Sequence, residues 1–383
     1  MARYLRNFNY LMFLAMVALI AIGTVAIWSA GNARAEAVFH GMWKQTLTTA
    51  VFGLAVYLAL SAIDYRKVLD YASPFAYALA LTMLVAVLVF GSKIYGGRRW
   101  LWFFQPSEVS KLCIIMFLAS FARPLRQLGF AGFLLTGAIV GVPLLLILAE
   151  PDLGTALTLV PAVIAMMFAA RIWRKGLLAV LAVIAAVATA VLCLVYEAEK
   201  PGVPPARRAA VLKWVPLKEH QVKRVKVFLF PEEDILGAGY NLRQAKISIG
   251  SGGFSGKGIG KGETNHLKYL PQAISMNDFI FCVYAEETGF VGSLALLALF
   301  GMLVVPGAWV AFTSNDERGE CLAIGVSMLV FAHVYINIAM SIGLLPITGL
   351  PLPFISSGRT FLVTVMAALG MVQSVSIHRE EAK

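Results

Sequence analysis

Charge is what this sequence has least of. Only 14% of its 383 residues are Asp, Glu, Lys or Arg, against about 25% in an ordinary soluble domain. Apolar residues make up 59% of the chain, and folding them around one water-facing core would leave a large apolar excess exposed. A soluble enzyme and a disordered protein are thereby excluded. Cysteine is scarce as well. Cys113, Cys193, Cys282 and Cys321 lie in or beside apolar runs, with no CxxC pair; this excludes a disulfide framework and a cysteine zinc site, and leaves them as small core hydrophobes. Nucleotide-binding motifs are also missing. The run Gly250–Gly262 has seven glycines in thirteen positions, yet it holds no G-x-G-x-x-G, and neither of its Gly-Lys pairs is followed by Ser or Thr. It reads either as a flexible segment that lets backbone approach a substrate or as a linker.

What is present is a set of ten apolar runs, each near the ~20 residues that span ~30 Å of hydrocarbon. They are Leu11–Ser29, Thr46–Ile63, Pro74–Phe90, Ser107–Phe121, Gly132–Ala149, Gly154–Ala170, Leu177–Tyr196, Phe279–Phe312, Cys321–Ile342 and Thr360–Ile377. The expected fold is all-α, a single polytopic membrane domain over 1–383 with ten transmembrane helices. The first run is too long for a cleaved signal. The eighth exceeds one crossing and contains Glu286, Glu287 and Gly289, so it is expected to begin as a partly exposed helix above the membrane. With the N-terminus inside, twelve Lys/Arg fall on the inner side and six in the short outer loops. Both termini are therefore expected in the cytoplasm, and the large loop 196–277 between helices 7 and 8 is expected outside.

The net charge of +11 points to nucleic acid until it is located. Thirteen basic and seven acidic residues lie between Tyr196 and Asn277, leaving +6 there. Between membrane spans, such a segment suits anionic head groups or a phosphorylated substrate, and no nucleic-acid partner is expected. No repeat of helix pairs is evident, which argues against an inverted-repeat transporter.

Ionisable residues in or at the ends of spans are functional candidates, because each costs roughly 2.5–3.5 kcal/mol at a helix centre. In Gln105-Pro-Ser-Glu-Val-Ser-Lys111, Glu108 and Lys111 share a helix face and can pair, either to hold the bundle or to bind substrate. In Glu150-Pro-Asp-Leu-Gly-Thr155, Asp152 suits a helix cap. In Gly96-Gly-Arg-Arg-Trp100, Arg98 and Arg99 suit lipid head groups or a bidentate clamp on pyrophosphate. Asp278 of Asn277-Asp-Phe-Ile-Phe281 stands where the long loop returns to the membrane. It is either an N-cap or a carboxylate whose desolvation suits it to general base catalysis. Finally, residues 343–359 are apolar but carry Pro346, Pro351 and Pro353, which forbid a continuous helix; irregular backbone at membrane depth implies a re-entrant loop lining a cavity.

These elements, in this order, resemble the SEDS family (shape, elongation, division and sporulation), the RodA/FtsW/SpoVE proteins. The resemblance is carried by Gly97-Arg-Arg-Trp100, Gln105-Pro-Ser-Glu108 with Lys111, Pro151-Asp-Leu-Gly-Thr155, Gly237-Ala-Gly-Tyr240, Ile249-Gly-Ser-Gly-Gly253, Asp278-Phe-Ile-Phe281, Glu286-Glu287 and Gly343-Leu-Leu-Pro346 through Pro353. It implies a peptidoglycan glycosyltransferase of the cytoplasmic membrane that polymerises lipid II on the outer face. Its implied partners are a class B penicillin-binding protein as transpeptidase and the membrane proteins of the elongation machinery. The family's essential aspartate falls on Asp278, and its other motif residues on Gln105, Ser107, Glu108, Lys111 and Asp152. On this implied reaction, Asp278 takes the proton of the acceptor sugar's 4-hydroxyl, and Arg98, Arg99 or Lys111 meets the charge of departing undecaprenyl pyrophosphate. A divalent cation could share that charge; no organic cofactor is required. A lipid II flippase and a scaffold that only activates the transpeptidase are the readings from other classes.

The chain departs from the family pattern in three places. Pro271-Gln-Ala-Ile-Ser-Met-Asn-Asp278 replaces P-E-x-H-T-D, Ser356-Ser-Gly-Arg-Thr360 replaces S-Y-G-G-S/T, and Lys44 stands where an arginine is expected. The short first outer loop, Asp64-Tyr-Arg66 and Glu150-Pro-Asp-Leu resemble the elongation type, whereas Lys268-Tyr-Leu-Pro271 resembles the division type. The elongation type is the favoured reading.

Overall fold

The computed structural model describes residues 2–379 apart from 33–39, 95–96, 102–103, 151, 201, 216, 235–236 and 264–274, with backbone alone at 2–3, 93–94, 97–98 and 220. Each of the ten apolar runs forms a helix. The short α1 (Ala2–Asn7) leads into α2 (Tyr10–Asn32), and α3 (Met42–Ala62) runs back. α4 (Tyr65–Phe90) includes a π-helical turn over Val68–Ala72. A two-stranded ribbon follows that the all-α expectation did not contain: β1 (Ser92–Ile94) pairs antiparallel with β2 (Gly97–Trp100), Ile94 opposite Gly97. Next come α5 (Pro106–Ser120), α6 (Ala122–Gln127), α7 (Phe130–Ala149), α8 (Leu153–Ala169) and α9 (Arg174–Glu199). The long polar segment holds α10 (Pro205–Leu212), α11 (Glu219–Leu229) and α12 (Ala238–Ser251), and α13 (Ile280–Phe312), α14 (Glu317–Ser341) and α15 (Arg359–His378) complete the chain.

Eight of these helices are long and apolar enough to cross a bilayer alone. The other two of the ten, α5 and α8, have 15 and 17 residues and reach only about 22 and 25 Å. Both begin at polar motifs, Pro106-Ser-Glu108 and the Asp152 cap, which take the place of their first apolar turn. The chain is a multi-pass helical membrane protein. Ser376 Oγ donates to Asn7 O at 2.8 Å and Asn7 Nδ2 to Ile377 O at 3.4 Å, so the two terminal segments meet at one end of the bundle.

In lipid, helices gain from close packing rather than from escape from water, so small residues set the contacts. α15 is the most enclosed span and α9 the least: 83% and 6% of their apolar windows are buried. A Cβ on Gly370 of α15 would come within 2.7 Å of Tyr57 O on α3, and Tyr57 Oη donates to Gln373 Oε1 at 3.1 Å across the same seam. Cys113, Cys282 and Cys321 are buried as small apolar side chains, whereas Cys193 is exposed on α9. One face of α14 is polar although buried. His333, Asn337 and Ser341 recur every four residues and are all fully enclosed. Between α14 and α15, residues 342–358 form neither helix nor strand, with Thr348, Leu350 and residues 352–356 buried.

Two expectations are corrected by α13 and the glycine run. The start of α13 does not lie partly exposed: Glu286 and Glu287 are 1% and 5% exposed. Ser248 Oγ (3.2 Å), Lys257 Nζ (2.9 Å) and Glu263 N (2.9 Å) all donate to Glu286, and Ser29 Oγ donates to Glu287. The run 250–262 is no linker. α13 breaks at Gly289 (φ 67°, ψ −163°), which opens the two helical bonds that Phe290 and Val291 N–H would make to Glu286 and Glu287 O. The run replaces them with four. Phe290 N donates to Gly253 O (2.9 Å), Val291 N to Phe254 O (3.2 Å), Lys257 N to Glu286 O (3.0 Å) and Gly258 N to Glu287 O (3.0 Å). A Cβ on Gly256 would collide with Glu287 O, so only glycine admits the approach.

Candidate active site

Asp278 is not a helix cap. The first residue outside α13 is Phe279, and no side chain caps that end. The segment ahead of it is held through its main chain. Ser357 N donates to Met276 O (3.2 Å), Ser356 Oγ to Asn277 O (2.6 Å), and Asn337 Nδ2 to Asp278 O (2.9 Å). Asn337 Nδ2 also donates to Leu350 O at 2.7 Å, tying the proline loop to the same point. The Asp278 side chain is half-buried and accepts no hydrogen bond among the described residues. A Cβ on Gly349 would stand 3.3 Å from its Oδ2, so the loop gives the carboxylate room by having glycine there. Burial pushes Asp278 up to about 6; the charge of Arg224, then of Arg99, pulls against that rise.

Arg224 was not a candidate from the sequence. It sits on α11, and its Nη1 donates to Thr348 O at 3.0 Å, which joins the polar segment to the proline loop. Burial lowers its own pKa, as does Arg99, while Asp278 and Asp152 act in the opposite direction. Two guanidiniums and two carboxylates thus share one field. Arg99 Nε donates to Glu150 O at 3.3 Å, which sets β2 against the α7–α8 turn. The Arg98 side chain lies outside the described residues.

Asp152 does cap α8: its Oδ1 accepts from Thr155 N at 3.2 Å. Its other oxygen gathers the motif residues. Oδ2 accepts from Thr155 Oγ1 (2.9 Å), Gln105 Nε2 (3.2 Å) and Ser107 Oγ (3.3 Å), and Gln105 Nε2 also reaches Ser107 Oγ (3.2 Å). Glu150 beside it is fully buried, with neither carboxyl oxygen hydrogen-bonded among the described residues. Burial, reinforced by Asp152 and opposed by Arg99, raises it to about 8.

Glu108 and Lys111 form a pair, with Lys111 Nζ 2.8 Å from Glu108 Oε2 and 1% of the lysine exposed. The same Nζ lies 2.8 Å from His333 Nε2 and 5.4 Å from the Phe361 ring centroid. The structure therefore gathers Gln105, Ser107 and Asp152, sets Arg99 and Asp278 in one field with them, and encloses Glu108 and Lys111 in protein further along α5. Arg224, His333 and Asn337 are the additions. The latter two had a legible signal in polar side chains spaced by four inside an apolar run; Arg224 was one basic residue among thirteen in a loop.

Of the chain's departures from the family pattern, Arg359 is exposed at the first turn of α15 and Lys44 lies 5.6 Å from the Trp43 ring centroid. Residues 271–274 and the stretch Lys268-Tyr-Leu-Pro271 lie outside the described residues. Among those that are described, no three His, Cys, Asp or Glu side chains converge as metal ligands, and the positive charge facing Asp278 comes from guanidiniums. The proposed step uses no metal ion. A cavity of about 480 Å³ opens in the polar segment around Glu199, Arg208, Lys226 and Phe230, on the side of α11 lined by Val222, Lys223 and Val227 and apart from Asp278.

Comparison with known proteins gives the family. The profile FTSW_RODA_SPOVE, described as cell cycle protein, matches residues 9–381. Peptidoglycan glycosyltransferase MrdB of Escherichia coli K12 is 34% identical over 96% of this chain and 93% of its own. The probable peptidoglycan glycosyltransferase FtsW of Trichlorobacter lovleyi is 33% identical over 97% and 94%. A solved chain from work on the structural coordination of polymerization and crosslinking by a peptidoglycan synthase complex superposes with a TM-score of 0.74 at 26% identity, covering 96% of this chain and 97% of that one. The chain belongs to the FtsW/RodA/SpoVE family of cell cycle proteins.

Proposed function

We propose that this protein is a peptidoglycan glycosyltransferase that polymerises lipid II at the outer face of the cytoplasmic membrane, with Asp278 as general base. The observation that carries the reading is Asp278 itself. Its carboxylate accepts no hydrogen bond among the described residues, has a glycine opposite it, is raised to about 6 and faces Arg224 and Arg99. A base with a pKa near working pH is ionised enough to accept a proton and basic enough to pull one.

In the proposed step, Asp278 takes the proton of the acceptor sugar's 4-hydroxyl as that oxygen attacks the anomeric carbon of the lipid-linked donor. The bond from that carbon to the pyrophosphate oxygen breaks, and the pyrophosphate leaves with the electron pair. Arg99 and Arg224 meet the developing charge, the role guanidiniums fill through paired N–H donors. So good a leaving group needs no acid. Gln105, Ser107 and Asp152 form the wall beside Arg99, and the Glu108–Lys111 pair supports that wall from within α5.

The names of the relatives support the reaction class, since MrdB and FtsW are both called peptidoglycan glycosyltransferases. The elongation type remains our reading, from Asp64-Tyr-Arg66 and Glu150-Pro-Asp-Leu. A class B penicillin-binding protein is the proposed partner, supported by the superposable chain from a peptidoglycan synthase complex. The test is polymerisation of purified lipid II. Asp278→Asn should lower turnover by about 10²–10⁴-fold, the usual contribution of a positioned base. Full polymerisation by that variant would refute the assignment.

A further inference from the structure

Three successive carbonyls, those of Met276, Asn277 and Asp278, accept hydrogen bonds from Ser357 N–H, the Ser356 hydroxyl and the Asn337 amide. The Asp278 carboxyl has no such bond among the described residues. Its direction is therefore inherited from the backbone of 276–278. One side-chain contact completes the clamp: Ser357 Oγ donates to Asn277 Oδ1 at 2.5 Å. Both partners are positions where the chain leaves the family pattern, in Met276-Asn277 ahead of the aspartate and in Ser357 after the proline loop. Two departures 80 residues apart in sequence are one contact in space.

We propose that Asn277 and Ser357 are a matched pair of positioning residues that aim the Asp278 carboxylate by locking its backbone to the proline loop. The proposal rests on Asp278 being the base. A buried or half-buried hydroxyl-to-amide bond has direction as well as strength. Without it, residue 277 is held, among the described residues, by its main-chain oxygen alone and can rotate about that point. The loop that surrounds the carboxylate, with Gly349 at its face and Thr348 held by Arg224, then follows residue 277 through main-chain acceptors alone. The pair acts on the geometry of proton transfer rather than on donor binding, so turnover should suffer while apparent affinity does not.

The experiment is a double-mutant cycle on lipid II polymerisation by the full-length protein. Asn277→Ala and Ser357→Ala are each expected to lower kcat by about ten-fold, with KM for lipid II within about two-fold, because small misplacements of a reacting group act on the chemical step. The double variant should be no slower than either single one, as expected when two residues make one interaction. Ser357→Thr keeps the hydroxyl and should keep most of the turnover. Loosening the clamp also admits water to Asp278, so the acid limb of the pH profile should move to lower pH in both alanine variants. Should Ser357→Ala fail to fold, Asn277→Ala carries the kcat, KM and pH readings alone. Wild-type turnover in the single variants, multiplicative losses in the double, or a Ser357→Thr as slow as Ser357→Ala would each overturn the pairing. Asp278→Asn measured alongside separates the two claims. Its loss of activity with silent Asn277 and Ser357 variants defeats only the pairing, and its full activity defeats the base assignment and the pairing together.

Discussion

Arg224→Gln isolates the electrostatics of the site. Asp278 stands at about 6 because burial raises it and two cations resist the rise, with Arg224 the larger of the two. An opposite charge facing a carboxylate lowers its pKa by about 1–3 units, and the lower end of that range, one pH unit, corresponds to 1.36 kcal/mol. Losing Arg224 should therefore move the titration of Asp278 from about pH 6 to about pH 7. The sign follows from the charges: an opposite charge favours the ionised carboxylate, so its removal makes the proton harder to lose. A base works only when ionised, so kcat rises with pH through this midpoint and the variant's acid limb lies to the alkaline side. About nine-tenths of wild-type sites are ionised at pH 7 against about half in the variant, a two-fold difference that grows to about eight-fold near pH 5.5. The assay is lipid II polymerisation from about pH 5 to 9, with kcat and KM separated. Arg224→Lys should bring the limb most of the way back while KM for the donor stays raised, since an ammonium lacks the guanidinium's paired donors. An Arg224→Gln limb that stays at the wild-type pH, or moves to the acid side, would refute the electrostatic reasoning.

Three further changes probe the surroundings. Lys111→Met leaves Glu108 buried without its partner and should cost about 3–5 kcal/mol, whereas Glu108→Gln together with Lys111→Met should recover most of that; thermal unfolding in detergent reads the difference, and a double variant no more stable than Lys111→Met would contradict it. Glu150→Gln mimics the neutral acid that a carboxyl raised to about 8 presents at pH 7. Polymerisation should match the wild type up to about pH 7 and diverge only above about pH 8, where the native carboxyl ionises beside Arg99; a difference at pH 6 would show that the carboxylate form is in use. Gly289→Ala forces a side chain into a glycine-only backbone region and sets its Cβ 2.7 Å from Phe254 O. It should cost about 1–3 kcal/mol in unfolding measurements while leaving the pH profile where it was.

The ten helices were legible because apolar runs of membrane length have few alternative folds. The two short ones were legible for the same reason, since Pro106 and Asp152 mark their starts. What periodicity could not convey was anything set by a distant partner. Glu286 and Glu287 read as exposed charges because nothing near them in sequence is cationic; the lysine that Glu286 meets, Lys257, lies within the glycine run. Glycine content alone cannot separate a strap from a linker, because the same lack of a side chain serves both freedom and close approach. Asp152 read as a cap and is one, yet the cap oxygen left over gathers Gln105 and Ser107, a second use that sequence spacing does not reveal. Arg224 was hidden by company, in a loop where twelve other basic residues made the same electrostatic signal.

The repair of α13 by the glycine run has a bearing on how this segment can vary. Surface loops usually accept insertions at little cost, because each doubling of length adds only about 0.6 kcal/mol of closure entropy. Here the partners are counted residue by residue. Gly253 and Phe254 receive successive donors of the broken helix, and Lys257 and Gly258 return bonds to successive acceptors. Adding or deleting one residue between those two pairs would put every later bond out of step and leave helix carbonyls unanswered. Length in 250–262 should thus be inherited as rigidly as in a strand of a sheet, while 202–215, where no such ladder is found among the described residues, is freer to grow and shrink.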